Sequence, residues 1–151
     1  MIKLICVGKI KEKYLIDAIE EYKKRLSKYT KLQIIEVNDI DNPSIDVVLN
    51  KEKELIEKHI DPKDFVITLE IEGNMLSSIE FANKIDNIFN TSSTITFIIG
   101  GSYGIHDDIK NRSNYKLSFS KLTFPHQLFR VNLLEQIYRS FRINNNESYH
   151  K

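Results

Sequence analysis

Hydroxyl and aromatic side chains crowd one stretch of the chain, Leu117–Phe129, which reads L-S-F-S-K-L-T-F-P-H-Q-L-F. It holds no Gly and few helix formers at its start, and then turns into a helix. Thr123 fits an N-cap and Pro125 a first turn, where its missing N–H would have no partner. Ser118, Ser120 and Thr123 offer short polar groups, and Phe119, Leu122 and Phe124 are expected to be buried. An apolar, hydroxyl-rich loop entering a helix suits a small ligand with an apolar body and a few polar handles. The same pattern also makes an ordinary strand–loop–helix corner. His126, in the first helical turn, could accept a proton if neutral, or stand as a hydrogen-bonded structural histidine.

Two other segments can do chemistry. Gly100-Gly101-Ser102-Tyr103-Gly104 follows an apolar run and lets backbone approach a ligand closely. It is neither G-x-G-x-x-G nor a P-loop, so a phosphate cradle is disfavoured. Arg130, Arg139 and Arg142, followed by Tyr149, His150 and Lys151, form a late basic and aromatic cluster suited to an RNA backbone and a base; a frayed end has the same composition. His59, His106, His126 and His150 lack the spacing of zinc ligands. No Ser stands in G-x-S-x-G, and Cys6 lies in the apolar run Ile2–Val7, where a buried, inert thiol is expected.

Strands and helices alternate around these segments. Apolar runs at Ile2–Val7, Leu32–Val37, Phe65–Ile71, Thr94–Ile99 and Tyr115–Phe119 read as strands. Helical spacing covers Lys11–Tyr29 and Asp46–His59, and a helix is expected after Ser77-Ser78, with Glu80 placed as in a capping box. Gly73-Asn74 is read as ending the third strand, and Asp61-Pro62-Lys63-Asp64 as a turn. Ile105–Arg112 and Phe124–Ile143 complete the helices. On the last one, Phe124, Leu128, Val131, Leu134, Tyr138 and Phe141 mark a buried face. Phe129, Leu133 and Ile137 lie off it, which fits either a subunit interface or a central helix. Strands that read as continuous apolar runs, alternating with helices, predict an α/β fold with a mostly parallel sheet covered on both faces. Ligands bind at the carboxyl ends of such strands, which again selects Leu69–Gly73, Gly100–Gly104 and Leu117–Phe124.

The chain has 151 residues, 41% hydrophobic and 28% charged, with net charge +1. That is one globular domain, 1–151, with no strong field for nucleic acid in general. A single cysteine excludes an intrachain disulfide. No apolar stretch nears a membrane span and the start is a strand rather than a signal peptide, so a cytosolic protein without a membrane partner is expected.

Phe65–Ile71 with Gly73, Ile98–Gly104 and above all Leu117–Gln127 resemble the ribosomal RNA large-subunit methyltransferase H family of the SPOUT superfamily. The resemblance runs from Val7-Gly8-Lys9 to Tyr149-His150-Lys151. It departs at Tyr103, where a member of the family has Asn, and in the short region between Asp39 and His59. It implies an α/β fold with a C-terminal trefoil knot, which topology rules would exclude by default. It also implies S-adenosylmethionine as cofactor, held by Leu69, Gly100 and Phe119, Ser120, Lys121, Leu122, Thr123 and Phe124, with no metal. It implies a homodimer with the last helix in the interface, acting on 23S rRNA within the assembled ribosome at N3 of a pseudouridine. On that footing His126, Arg142, Tyr149 and His150 are expected around the target base, with His150 or His126 assisting deprotonation and Arg142 stabilising the anion. The competing readings are a knotted dimer that binds S-adenosylmethionine or ribosomes without catalysis, and an α/β nucleotide-binding enzyme unrelated to methyl transfer.

Overall fold

A computed structural model describes residues 1–151. Five strands, β1 (Ile2–Val7), β2 (Leu32–Val37), β3 (Phe65–Met75), β4 (Ile95–Ile99) and β5 (Tyr115–Ser118), form one sheet in the order β2-β1-β4-β3-β5. Every pairing is parallel. The helices are α1 (Lys13–Leu26), α2 (Ile45–Glu57), α3 (Ser78–Phe89), α4 (Asp107–Arg112) and α5 (His126–Asn144).

The central strands are apolar on both sides because both sides are covered. Ile2, Leu4 and Cys6 of β1 and Ile95, Phe97 and Ile99 of β4 pack with residues of α1, α3 and α5, including Ile19, Phe81, Ile85, Leu133 and Ile137. Ile5, Val7 and Ile98 pack with Ile56 of α2 and with Ile105 and Ile109 at α4. Period-two alternation thus sends each strand into two separate cores. Cys6 is fully buried, and burial pushes its thiol up to about 12.

Several sequence expectations need correction. Gly73-Asn74 does not end β3, which continues to Met75 with its pairing to β5 jumping from Leu69 to Asn74. Gly73 marks a close crossing of two backbones: a Cβ there would stand 2.9 Å from the Lys116 carbonyl. The N-cap of α5 is Pro125, not Thr123, and no side chain caps it. Leu122 is not buried but 72% exposed. On α5 the buried residues are Arg130, Leu133, Leu134, Ile137, Tyr138 and Ser140, whereas Leu128 is 41% exposed. Leu133 and Ile137 therefore face the core together with Leu134 and Tyr138 of the expected stripe, as a central helix requires, and of that stripe Leu128 is left exposed. The capping box at α3 is present, with Ser77 Oγ accepting from the Glu80 N–H and Glu80 accepting from the Ser77 N–H.

Candidate functional site

The helices that follow β3 and β4 leave for opposite faces of the sheet, α3 to one and α4 to the other. The carboxyl ends of β3, β4 and β5 are therefore not capped by a common helix. A cavity of about 540 Å³ opens there, within the size range of small-molecule sites. Three segments wall it: Leu69–Glu72 in the second half of β3, Ile99–Gly101 with Gly104 at the end of β4, and Leu117–Phe124 with His126 and Phe129 at and after the end of β5.

Each wall has a local cause. Gly101 and Gly104 bridge each other, and the Gly104 N–H donates to the Gly101 carbonyl at 3.0 Å. Gly104 takes φ +82°, in the left-handed region. A Cβ on Gly100 would lie 2.5 Å from the Gly104 carbonyl oxygen, so only glycine allows this closed turn. Behind the turn, the buried Glu52 carboxyl of α2 approaches Gly101. Burial, then the neighbouring Asp39, raises its pKa, against a bond from the Ile40 N–H that lowers it.

The hydroxyls of the third wall shape the loop. Ser118 Oγ donates to the Ser120 carbonyl at 3.1 Å, and Ser120 Oγ accepts from the Leu122 N–H at 3.0 Å. Phe129 anchors this wall, with its ring 4.8 Å from Phe119 edge to face and 5.8 Å from Phe124 in a stack. The result is a slot with aromatic and aliphatic sides and an edge of backbone groups. No set of three or more His, Cys, Asp or Glu is grouped to hold a metal ion.

Of the residues singled out by resemblance, Leu69, Gly100, Phe119, Ser120, Leu122, Thr123, Phe124 and His126 come together on this cavity. Lys121 is exposed and does not line it. Arg142, Tyr149 and His150 gather elsewhere, where the C-terminal segment folds back along α5. Tyr149 donates to Glu135 at 3.0 Å and packs edge to face on Tyr138. Burial, then Glu135, pushes the Tyr149 hydroxyl up to about 12. Arg142 pairs with Glu147 at 2.6 Å and with the Ser148 carbonyl at 2.7 Å. Arg139 binds Glu135 through two nitrogens and His150 Nδ1 at 3.1 Å. A guanidinium can only donate, so Nδ1 accepts and the proton of a neutral His150 sits on Nε2. Helix rise puts Arg139 roughly 20 Å along α5 from His126, so within one chain the two groups stay apart. A second cavity of about 330 Å³, lined by Ser77, Ser78, Asn132, Glu135 and Gln136, shares Leu117–Phe119 with the first.

Sequence reasoning also placed Arg130 in the basic cluster. It is instead 1% exposed, donating to Glu36 at 2.5 Å and to the Gly8 carbonyl at 2.7 Å, so it ties α5 to the ends of β1 and β2. Glu70 and Glu72 fall within the selected segment Leu69–Gly73, whereas Ile105 and Lys110 lie outside every segment that sequence reasoning selected. Their one signal was position, just after the glycine turn or on the helix behind it.

Comparison with known proteins bears on this geometry. A family model described as "Predicted SPOUT methyltransferase" matches residues 1–150. The chain is 56% identical to the ribosomal RNA large subunit methyltransferase H of Clostridium botulinum (strain Langeland), over 99% of each chain. Its fold is similar to that of a "probable methylase family protein" from Haemophilus influenzae Rd KW20, with TM-score 0.62 and 13% identity, over 99% of this chain and 70% of that one. It is also similar to the tRNA (m1G37) methyltransferase of Aquifex aeolicus, with TM-score 0.50 and 14% identity, over 91% and 69%.

Proposed function

This chain belongs to the SPOUT methyltransferase family, and from that premise we propose that it methylates large-subunit ribosomal RNA with S-adenosylmethionine, at N3 of a pseudouridine in 23S rRNA of the assembled ribosome. The observation that carries the reading is the cavity at the ends of β3, β4 and β5, built without a phosphate cradle. The residues fit the donor: the closed turn at Gly100 lines the cavity with backbone, Phe119, Phe124 and Leu69 supply apolar walls for a planar base, and backbone groups supply its polar edge. When bound, the donor supplies a methyl group already activated by its sulfonium. The segment Phe119–Phe124 would lie within the trefoil knot of this superfamily.

What remains for the protein is to align the target nitrogen, which can lower the barrier by about 7–11 kcal/mol, and to remove its proton. His126 is placed for the second task. It lines the cavity, it is exposed, and no protein group hydrogen-bonds to its ring. His150 is placed for a different one. With Nδ1 held by Arg139, its Nε2–H donates, so it can stabilise negative charge on the deprotonated base beside Arg142 and Tyr149.

These groups meet if two copies pair across a two-fold axis with their α5 helices antiparallel, which brings His126 of one near the Arg139–His150 cluster of the other. The exposed Leu122 and Leu128 and half-buried Val131 support such an interface. The near-neutral chain, at net charge +1, favours a preassembled ribosome over naked RNA.

The test is to incubate the purified protein with unmodified ribosomes, or with free 23S rRNA, and labelled S-adenosylmethionine, and to map the label. Label at a pseudouridine N3, chiefly on ribosomes, is expected; none in rRNA, or equal rates on both substrates, counts against the reading. Mixing inactive His126→Ala with inactive Tyr149→Phe/His150→Ala should restore activity, because each mixed dimer then holds one intact composite site. No rescue would assign both clusters to separate roles within one chain.

A further inference from the structure

The first cavity is walled mainly by apolar groups, small side chains and backbone, apart from a charged edge. Glu70 of β3 and Lys110 of α4 meet there, with Glu70 Oε1 3.7 Å from Lys110 Nζ. The other carboxylate oxygen accepts from Thr68 Oγ1 at 2.6 Å, and Thr68 is fully buried. The Glu70 side chain is only 10% exposed, against 36% for Lys110.

This arrangement is incomplete as an ion pair. At 3.7 Å the two charges attract but make no hydrogen bond of ordinary length. The carboxylate is half-buried, and its Oε1 still opens toward solvent on the cavity side. Glu70 Oε2 has its donor; Oε1 has only the distant ammonium. The carboxylate is nevertheless fixed in place. It sits where the β3–β5 register jumps, between Leu69 and Asn74, and Thr68 tethers it from below. Lys110 is carried by the helix that follows the glycine turn, so the pair straddles two of the cavity's three walls.

We infer that Glu70 and Lys110 form the subsite for the amino-acid end of the methyl donor, the donor's α-ammonium against Glu70 and its α-carboxylate against Lys110; this assignment rests on the function proposed above. An amino-acid zwitterion is the ligand chemistry that satisfies both residues together. The ammonium gives Glu70 the donor it lacks, and the carboxylate replaces it as the partner of Lys110. Glu72 is a second acidic group on the same lining, so negative charge exceeds positive there. That excess suits a donor with a net positive charge and, after transfer, holds a neutral product less firmly.

The subsite is tested with ligands that differ only at this end. S-adenosylhomocysteine keeps the amino-acid chain, and 5′-methylthioadenosine keeps adenine, ribose and thioether but lacks it. Calorimetric titration of the full chain should show wild type preferring the first. Glu70→Gln, which keeps the size and the Thr68 contact, should weaken S-adenosylhomocysteine roughly tenfold while leaving 5′-methylthioadenosine within about twofold. Lys110→Met should narrow the same preference by a smaller factor, because that side chain is more exposed. A thermal melt of each variant checks that it is folded. Equal weakening of both ligands would place Glu70 against the adenosine part and overturn the assignment, as would no change in either. A wild-type chain that binds neither of these nor S-adenosylmethionine would instead overturn the donor reading itself, and the subsite with it.

Discussion

The two ends of the sheet are made from the same strands and finished in opposite ways. At the amino ends, Lys3 of β1, Asp64 just before β3 and Thr96 of β4 converge. Asp64 Oδ2 receives Lys3 Nζ at 2.8 Å, Thr96 Oγ1 at 2.9 Å and the Asp61 N–H at 3.0 Å. Lys3 also donates to the His59 carbonyl at 2.8 Å, and the terminal ammonium to the Ser93 carbonyl at 2.7 Å. This end is closed by partners the chain supplies itself. At the carboxyl ends the same strands finish in glycine, short hydroxyls and an under-bonded Glu70, and a cavity stays open. A buried polar group is either satisfied within the fold or kept for something outside it; stability is concentrated at the first end and binding at the second.

Substitutions that act on one end only are the way to break that contrast. The largest effect is expected from Lys3→Met, which takes the cationic partner from the buried Asp64 and leaves it the two neutral donors. Removing one member of a buried pair costs about 3–5 kcal/mol, read by urea unfolding, while donor affinity of the folded protein stays within about twofold. A loss below about 1 kcal/mol, or a collapse of donor binding, would mean that the two ends are not separate. Next comes Gly100→Ala. Its Cβ would meet the Gly104 carbonyl at 2.5 Å, so the turn must open. Donor affinity by calorimetry should fall about a hundredfold, with a smaller stability change than Lys3→Met causes.

The smallest effect sharpens the contrast through pH. Burial alone would raise the Asp64 carboxyl, but Lys3, the Asp61 N–H and Thr96 outweigh it and hold it below its ordinary value. A carboxyl depressed in the folded state stabilises fully above its unfolded value of about 3.9, and that stability is lost as pH falls through the lower, folded value. Unfolding free energy should therefore drop in acid below about pH 4, and Asp64→Asn should flatten that part of the curve. Equal acid slopes in both proteins would remove Asp64 as the source.

The sheet and the site's position were legible in sequence because they follow from local rules. Strands buried on both faces need mainly apolar residues on both sides, and β1 and β4 show them apart from Lys3 and Thr96, so the parallel arrangement could be read directly. A capping box needs only two side chains three residues apart, as at Ser77 and Glu80. What was misread depended on which other elements lie nearby. Gly73 resembles a strand breaker until the β5 backbone is seen crossing it. Leu133 and Ile137 fitted either a subunit interface or a central helix, and only the position of α1 and α3 decides for the core. Arg130 looked like an RNA contact since nothing in its own helix announces Glu36 and the Gly8 carbonyl as partners. Thr123 is a good cap by type, but the helix starts two residues later, after Pro125. The cavity loops were found through their glycines and hydroxyls. Glu70 fell within the selected Leu69–Gly73 but was given no role, and Lys110 was not found, because a charged side chain on a short helix reads as surface.

The docked C-terminus also bears on the order in which the chain is made. Tyr29, just past α1, donates to Glu147 at 2.8 Å across 118 residues, and its ring stacks on Phe141 at 5.7 Å. The core strand β1 waits in the same way for β4. At roughly 5–20 residues per second, Tyr29 is synthesised some 6–24 s before the residue that completes its environment. The emerging β1–α1–β2 segment thus spends that interval with its apolar faces uncovered. The last helix and the segment after it have to be made before the first quarter of these 151 residues can settle, so holding factors that shield nascent chains should raise the soluble yield, whereas slowing translation of the last helix should lower it.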